Sequence, residues 1–493
     1  MVSPTEAMPQ SSPWLNRPSV CRHGALLRLS LVLLAAWPGA GRAESPANGE
    51  LGLAPAAWSA NLLLSQEYRF RTTSSADATV TSALGEPPAP TPLSDHDLRL
   101  TLDGTVMGLG ERFVGTASTA LWLDLDGHVP KGGPDYFGDS QDLAQPLLIV
   151  YGLTAEWRRS TPVERFALGR QQATHGLPVT FDGGALDFRF LQRRLSLFAY
   201  GGRTVHFFEV VPGLFENWLV GGGAGFRLTP NLHVEADSRY LHETVLASAG
   251  DASRPVDTNS YGLTLSGRWD ELSGKLFARG MNRSFSHVGG LFRLQVPAAG
   301  VGLDGQAAAQ LVTLGEIAES ENPYYSLLGK SLPHLRARLE TWKEFRLGKA
   351  GLLALAAGAR VRQLLRDEPT RFNRSMNAAY LRGDLNDLLW KGVFASVTAD
   401  WNLPSGASDG AYSFSLGGAA GYGSRTSRVE AGTYFQRFKI NYYRDVEELL
   451  EARTVYAMAS YHVLPQIEIR ARYVLEVVDR TIHTAYLTLR EDL

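Results

Sequence analysis

The chain of 493 residues is short of thiols, of long apolar runs and of any dominant charge. Its single cysteine is Cys21. That excludes disulfide staples and thiolate metal sites. Basic and acidic side chains nearly balance, 48 against 50, for a net charge of −2. No polybasic tail marks it for nucleic acid. Beyond residue 43 no apolar stretch approaches the roughly 18 residues that a spanning helix needs. Also missing are a phosphate-binding glycine loop with its lysine, a zinc spacing of Cys and His, and a His-Glu-x-x-His pair. His175, His206, His233, His242, His462 and His483 stand singly, and Asp270-Glu271 and Glu447-Glu448 read as turn or loop charges. No cofactor and no metal are expected. What is plentiful is glycine, 50 residues, with 10% aromatics. Both lean toward a β-rich fold with many turns.

The N-terminus has an order of its own. Arg17, Arg22 and Arg28 precede an apolar run from Leu29 to Trp37, and the small residues Gly41 and Ala43 follow. This is the layout of a secretory signal peptide, with residues 1–43 removed. Cleavage there takes away four basic residues, one acid and Cys21, leaving 44 basic against 49 acidic residues, a net of −5. A chain without thiols cannot mispair them in an oxidising periplasm. Residues 44–58 then form a short periplasmic segment, too brief for a plug domain, before a β domain over 59–493.

Strict alternation is the recurring pattern of that domain. Leu232, Val234, Ala236, Ser238 and Tyr240 alternate with His233, Glu235, Asp237 and Arg239. Tyr261, Leu263, Leu265 and Trp269 occupy one phase of 260–269. Over 335–347, Leu335, Ala337, Leu339, Phe345 and Leu347 alternate with Arg336, Arg338, Glu340, Glu344 and Arg346. Over 466–477, Ile467, Ile469, Ala471, Tyr473, Leu475 and Val477 alternate with Gln466, Glu468, Arg470 and Arg472. A period of two with one apolar face is the mark of a strand. Soluble strands typically run to about five or six residues. These are longer, and match the roughly 9–11 residues of a tilted strand crossing a bilayer. Only closed barrels cross as strands, because lipid offers no partner to an open edge.

Very short links join several runs: 229–231, 270–271, 348–350 and 464–466. Longer polar links lie between. Short turns on one side and long loops on the other are the layout of an outer-membrane barrel, with short turns and both termini in the periplasm. Tracing back from the C-terminus yields 22 segments, from 59–73 to 481–491. Those at 145–157, 162–173, 286–297 and 374–385 are weak, so 18 to 22 strands fit. The trace includes strands at 184–193, 301–318 and 388–402. The expected fold is therefore all-β, a single large antiparallel transmembrane barrel without a plug. Trp269, Phe226 and Phe345 beside the short turns, with Trp218 and Tyr240 at the far ends, suggest two aromatic girdles. Lys343 and Lys391 fall on the apolar phase and fit only by snorkelling or through a slip of register.

If Leu347 faces Gly351 across the turn at 348–350, Arg336 faces Arg362 and Arg338 faces Arg360. All four lie on the polar phase, hence inside a barrel, with Glu340 and Glu344 nearby. Like charges opposed across strands destabilise a sheet. Such a cluster needs counter-charges or forms a basic wall that attracts anions. Arg470 and Arg472 are further candidates for the lumen.

A second feature is Leu168-Gly169-Arg170-Gln171, followed by Gly176 and Phe181-Asp182-Gly183-Gly184. It resembles the Gly-Arg-Gln…Asp-Gly signature of porin-type barrels, including the alginate-export family, over residues 168–186 only and in shortened form. The resemblance implies a segment near a channel and makes Arg170 a candidate lumen residue, with Asp182 and Gly183 as turn chemistry. In barrel families the final residue is commonly aromatic. Here Ala485, Leu487, Leu489 and Leu493 keep the outward spacing and the aromatic is absent.

The expectation is a channel that passes small polar or anionic solutes or acidic polysaccharide. It would be embedded in outer-membrane lipid after delivery by the barrel assembly machinery, with no nucleic-acid partner and no enzymatic role. A structural or adhesion barrel, a barrel-embedded hydrolase with a His beside a Ser or Asp, and a soluble exported β-protein are the alternatives.

Overall fold

A computed structural model describes residues 58–73, 93–110, 112–125, 146–158, 162–173, 179–205, 217–245, 254–318, 329–348, 351–366, 373–387, 390–404, 413–438, 450–478 and 481–492. The expected signal peptide and all but the last residue of the segment to 58 lie outside them. So do Gly176 and Leu493.

The alternating runs form 22 antiparallel strands in one sheet. Strand lengths run from 10 to 16 residues. The sheet closes on itself. Strand β1 (Ser59–Thr73) pairs on one side with β2 (Leu93–Gly108) and on the other with β22 (Thr481–Asp492), so that Tyr68 faces both Leu98 and Leu487. Closure leaves no edge with unpaired backbone groups. The last described strand takes its place in the closed sheet. Among the described residues, no helix is long and apolar enough to cross a membrane, a statement that does not bear on strands.

Alternation sorts side chains between the two faces. On the convex outer face neighbouring side chains splay apart, while on the concave inner face they converge and cover one another. Strand β9 (Leu232–Val245) shows the result. Asp237, Arg239, Leu241 and Glu243 point inward and are buried, whereas Val220 on the paired β8 (Trp218–Thr229) is half exposed outside. The outer face carries Leu263, Leu339, Leu381, Val397 and Leu487, all exposed. Trp218, Phe226, Trp269 and Phe345 are exposed near the strand ends, as two girdles require.

All four expected short turns lie at the same end of the barrel. Leu347 N donates to Gly351 O at 2.8 Å, so the arginine register holds. Three traced segments need correction. The run 184–193 is β6 (Thr180–Phe190), because Leu191, Gln192 and Arg193 take left-handed φ and turn the chain. The run 388–402 is β17 (Val393–Pro404). Lys391 therefore sits in a turn, and its misfit is a slip of register. Lys343 is outward as traced, with its ammonium 5.3 Å from the Phe345 ring centre.

The third correction shapes the lumen. The run 301–318 ends as β13 at Val301–Gln310. Gln310 Nε2 donates to the carbonyls of Val312 (3.0 Å) and Ser331 (2.7 Å), gathering the chain inward. A short helix, α1 (Leu314–Ile317), follows. Its buried Leu314, and Ala318 just beyond its end, pack on Met281, which faces inward from β11 (Leu272–Met281). Asn282 Nδ2 donates to Ile317 O. Asn373 ties the returning chain, accepting from Leu332 N and donating to Lys330 O, each at 2.8 Å. Residues 311–318 and 329–333 thus lie over the inner rim.

Candidate functional site

The inner wall beside this inward segment is built by β13, β14 (His334–Arg346), β15 (Leu352–Leu364) and β16 (Met376–Asn386). The register places Arg336 opposite Arg362 and Arg338 opposite Arg360. On the flanking ladder Gln306 faces Arg338 and Gln310 faces His334. The four arginines, His287, Gln306 and Ser331 border a cavity of about 570 Å³ that opens to the lumen.

Opposed guanidinium groups repel, and the wall answers each differently. Arg338 donates to Glu340 and, at 3.2 Å, to the Tyr380 hydroxyl, which itself donates to Glu340. Arg360 reaches Asp400 on β17 at 3.3 Å. The Tyr380 ring stands between them, its centre 5.8 Å from Arg338 Cζ and 5.3 Å from Arg360 Cζ, a cation–π arrangement on both sides. Gly358 makes this possible. A Cβ there would lie 2.3 Å from Tyr380 Cζ. Arg362 donates to Ser331 (3.1 Å) and Asn373 (3.3 Å), both neutral. Arg336 has no hydrogen-bond or ion-pair partner among the described residues and is exposed. Arg338 and Arg360 are thus offset by carboxylates, and Arg336 is the one of the four without a partner among the described residues. Arg336 can offer an anion forked hydrogen bonds.

The sequence reading missed Tyr380, Asp400, His287, His334 and Asn373. Tyr380 and Asp400 are direct partners across β16 and β17. The turn between those strands could have revealed them, had the second strand not been started five residues early.

Two further candidates also stand on the inner phase. Arg470 donates to Glu468 at 3.1 Å and is thereby offset. Arg472 lies between two rings, 5.8 Å from the centre of Tyr456 and 5.7 Å from that of Tyr486. They are remote in register from the first cluster and belong to β21 (Ile467–Val477).

Arg170 is a correction. On β5 (Val163–Gln172) it is opposite Leu153 and in phase with Phe166 and Leu168, which face outward. It is 6% exposed and makes a forked pair with Asp182, Nε to Oδ1 and Nη2 to Oδ2 both at 2.8 Å. Asp182 lies inside β6, so it is not turn chemistry either. The two halves of the motif are strand partners: Gly169 faces Gly183 and Arg170 faces Asp182. Gly169 has φ +118°, and a Cβ on it would come within 2.0 Å of the Leu153 carbonyl oxygen. The motif builds a sheet rather than a pore.

Among the described residues no group of three or more His, Cys, Asp or Glu is placed to hold a metal ion. No family model and no curated protein matches the sequence. Solved structures align with it at low identity. The P pilus usher (PapC) translocation pore aligns with 87% of this chain and 99% of its own, at 9% identity and a TM-score of 0.45. Acinetobacter baumannii OccAB4 aligns with 88% of this chain and 98% of its own, at 8% identity and a TM-score of 0.41. Pseudomonas aeruginosa OpdO aligns with 88% and 97%, at 14% identity and a TM-score of 0.34. These likenesses concern the fold alone.

Proposed function

We propose that the chain is an outer-membrane channel for small polar or anionic solutes, with the arginines of β14 and β15 as its selective wall. The observation that carries this is the set of opposed arginines around a cavity open to the lumen, with Arg336 exposed and without a partner among the described residues. An anion entering would meet forked donors along one side of the lumen, as charged walls in pores attract ions of opposite sign. Long strands with an apolar outer face support insertion in lipid. On this reading the short-turn end is periplasmic, residues 1–43 are removed on export and the barrel assembly machinery inserts the chain. Arg470 and Arg472 line the passage farther round, and acidic polysaccharide is one class of cargo the wall would suit.

The test is conductance of the refolded protein in a planar bilayer, with the reversal potential under a salt gradient. Open steps with anion preference, lost or inverted in Arg338→Glu and Arg360→Glu, are expected. Open steps without that preference would remove the arginine wall from the account. The inward residues 311–318 and 329–333 favour a second reading, a structural barrel that conducts nothing. A correctly inserted barrel with no open steps would establish it.

A further inference from the structure

The turn joining β6 to β7 (Leu195–Val205) is unusual. Leu191, Gln192 and Arg193 have φ of 50°, 54° and 68°, three successive left-handed residues without a glycine. Such conformations are costly and persist where the surrounding structure over-determines them, often at functional sites. This one presents Arg193 and Arg194, both exposed.

Two more arginines converge there. Arg227 lies two residues before the end of β8 and Arg268 ends β10 (Arg254–Arg268), both on the inner phase. With His233 and Glu235 they border a cavity of about 490 Å³ at the short-turn mouth. A fifth arginine in the cavity, Arg189, is ion-paired with Glu164. Among the described residues, Arg193, Arg194, Arg227 and Arg268 have no side-chain hydrogen bond or ion pair. Among the described residues, Glu235 is the sole carboxylate bordering the cavity. The wall near the opposite mouth differs, since two of its four arginines are offset. Four unpaired guanidinium groups within one concavity repel each other, and a bound anion is what would relieve that.

We infer that this mouth is a separate binding site for a compact polyanion carrying several phosphate or carboxylate groups. The cavity lies within the usual range for small ligands, about 300–1,000 Å³. It is concave and recessed, which suits a small polyanion better than an acidic protein segment lying on a surface. The inference deepens the channel reading and rests on it for the periplasmic position. Loading at this mouth would concentrate multivalent anions at one end of the lumen, away from Arg336 and Arg338.

Calorimetric titration of the refolded barrel with inorganic tripolyphosphate at low salt tests the site without any need for conduction. The wild-type chain is expected to bind, and Arg193→Gln/Arg194→Gln to bind at least about 30-fold more weakly, as two lost charge-assisted contacts imply. Arg428→Gln on β19 (Ser427–Phe438), where the arginine is ion-paired with Glu430, should bind as the wild type does. Arg227→Gln/Arg268→Gln gives the same information from the strand ends if the turn variant does not refold. No binding by the wild type, or undiminished binding by the mouth variants, overturns the site. Binding of hexaglutamate peptide but not tripolyphosphate overturns the small-polyanion assignment in favour of a protein partner. A chain that binds but shows no open steps keeps this site and loses the channel. One that conducts with anion preference but does not bind does the reverse.

Discussion

Two parts of the inner wall use the same alternation and reach opposite ends. From β5 to β9 the inward phase is packed: Ala167, Phe181, Ala185, Tyr200, Leu219 and Leu241 form a buried cluster, with the rings of Phe181 and Tyr200 5.7 Å apart. Beneath it Asp237 is ion-paired with Arg279. From β13 to β16 the inward phase is open and lined by arginines. A barrel of this size need not be filled by its wall, so burial inside is local. One arc serves as core and the other as surface for solute. The inner face of a large barrel is therefore not uniformly polar, and stability and selectivity can reside on different strands.

The largest effects should come from the packed arc. Phe181 is 1% exposed. Phe181→Ala should lower stability by about 4 kcal/mol through transfer and cavity terms. Urea unfolding of the lipid-embedded barrel reads this, and a change under about 1 kcal/mol would mean that the cluster is not a core. Asp237→Ala should cost about 3 kcal/mol, because it leaves the Arg279 charge without its buried partner. The same midpoint measured in Asp237→Ala/Arg279→Met should recover most of that loss. Gly169→Ala should cost about 2 kcal/mol, since φ +118° and the Leu153 carbonyl leave no room for a Cβ. An unchanged midpoint there would show that β5 can shift at the motif. On the open arc, Arg336→Ala should leave the urea midpoint where it was, and its effect should appear as a smaller anion preference in the reversal potential. If Arg336→Ala unfolds the barrel as readily as Phe181→Ala, the two arcs are not different in kind.

Much of this architecture is legible in the sequence. Strand β21 spans Ile467–Val477, as traced, and the four weak segments are all strands. The pairing of Arg336 with Arg362 follows from one turn. Where the reading fails, the reason is also local. At 301–318 the apolar spacing continues past Gln310, yet side-chain hydrogen bonds to Val312 and Ser331 divert the backbone. At 184–193 three left-handed residues of ordinary type form a turn that no glycine announces. At 168–186 a short motif suggests a pore, whereas its halves pair with each other.

The sequence by itself determined the class of fold, the succession of strands, which side chains share a face and which arginines oppose each other across a hairpin. These depend on a period of two and on turn length, and both are written along the chain. Only the tertiary structure decided where the lumen is packed and where it is open, which carboxylate offsets which arginine, and that residues 311–318 and 329–333 turn inward. Asp400 reaches Arg360 across β16, and Met281 meets Leu314 from a strand two places earlier. Contacts of that kind are set by curvature and closure, which bring together residues whose separation along the chain carries no local signal.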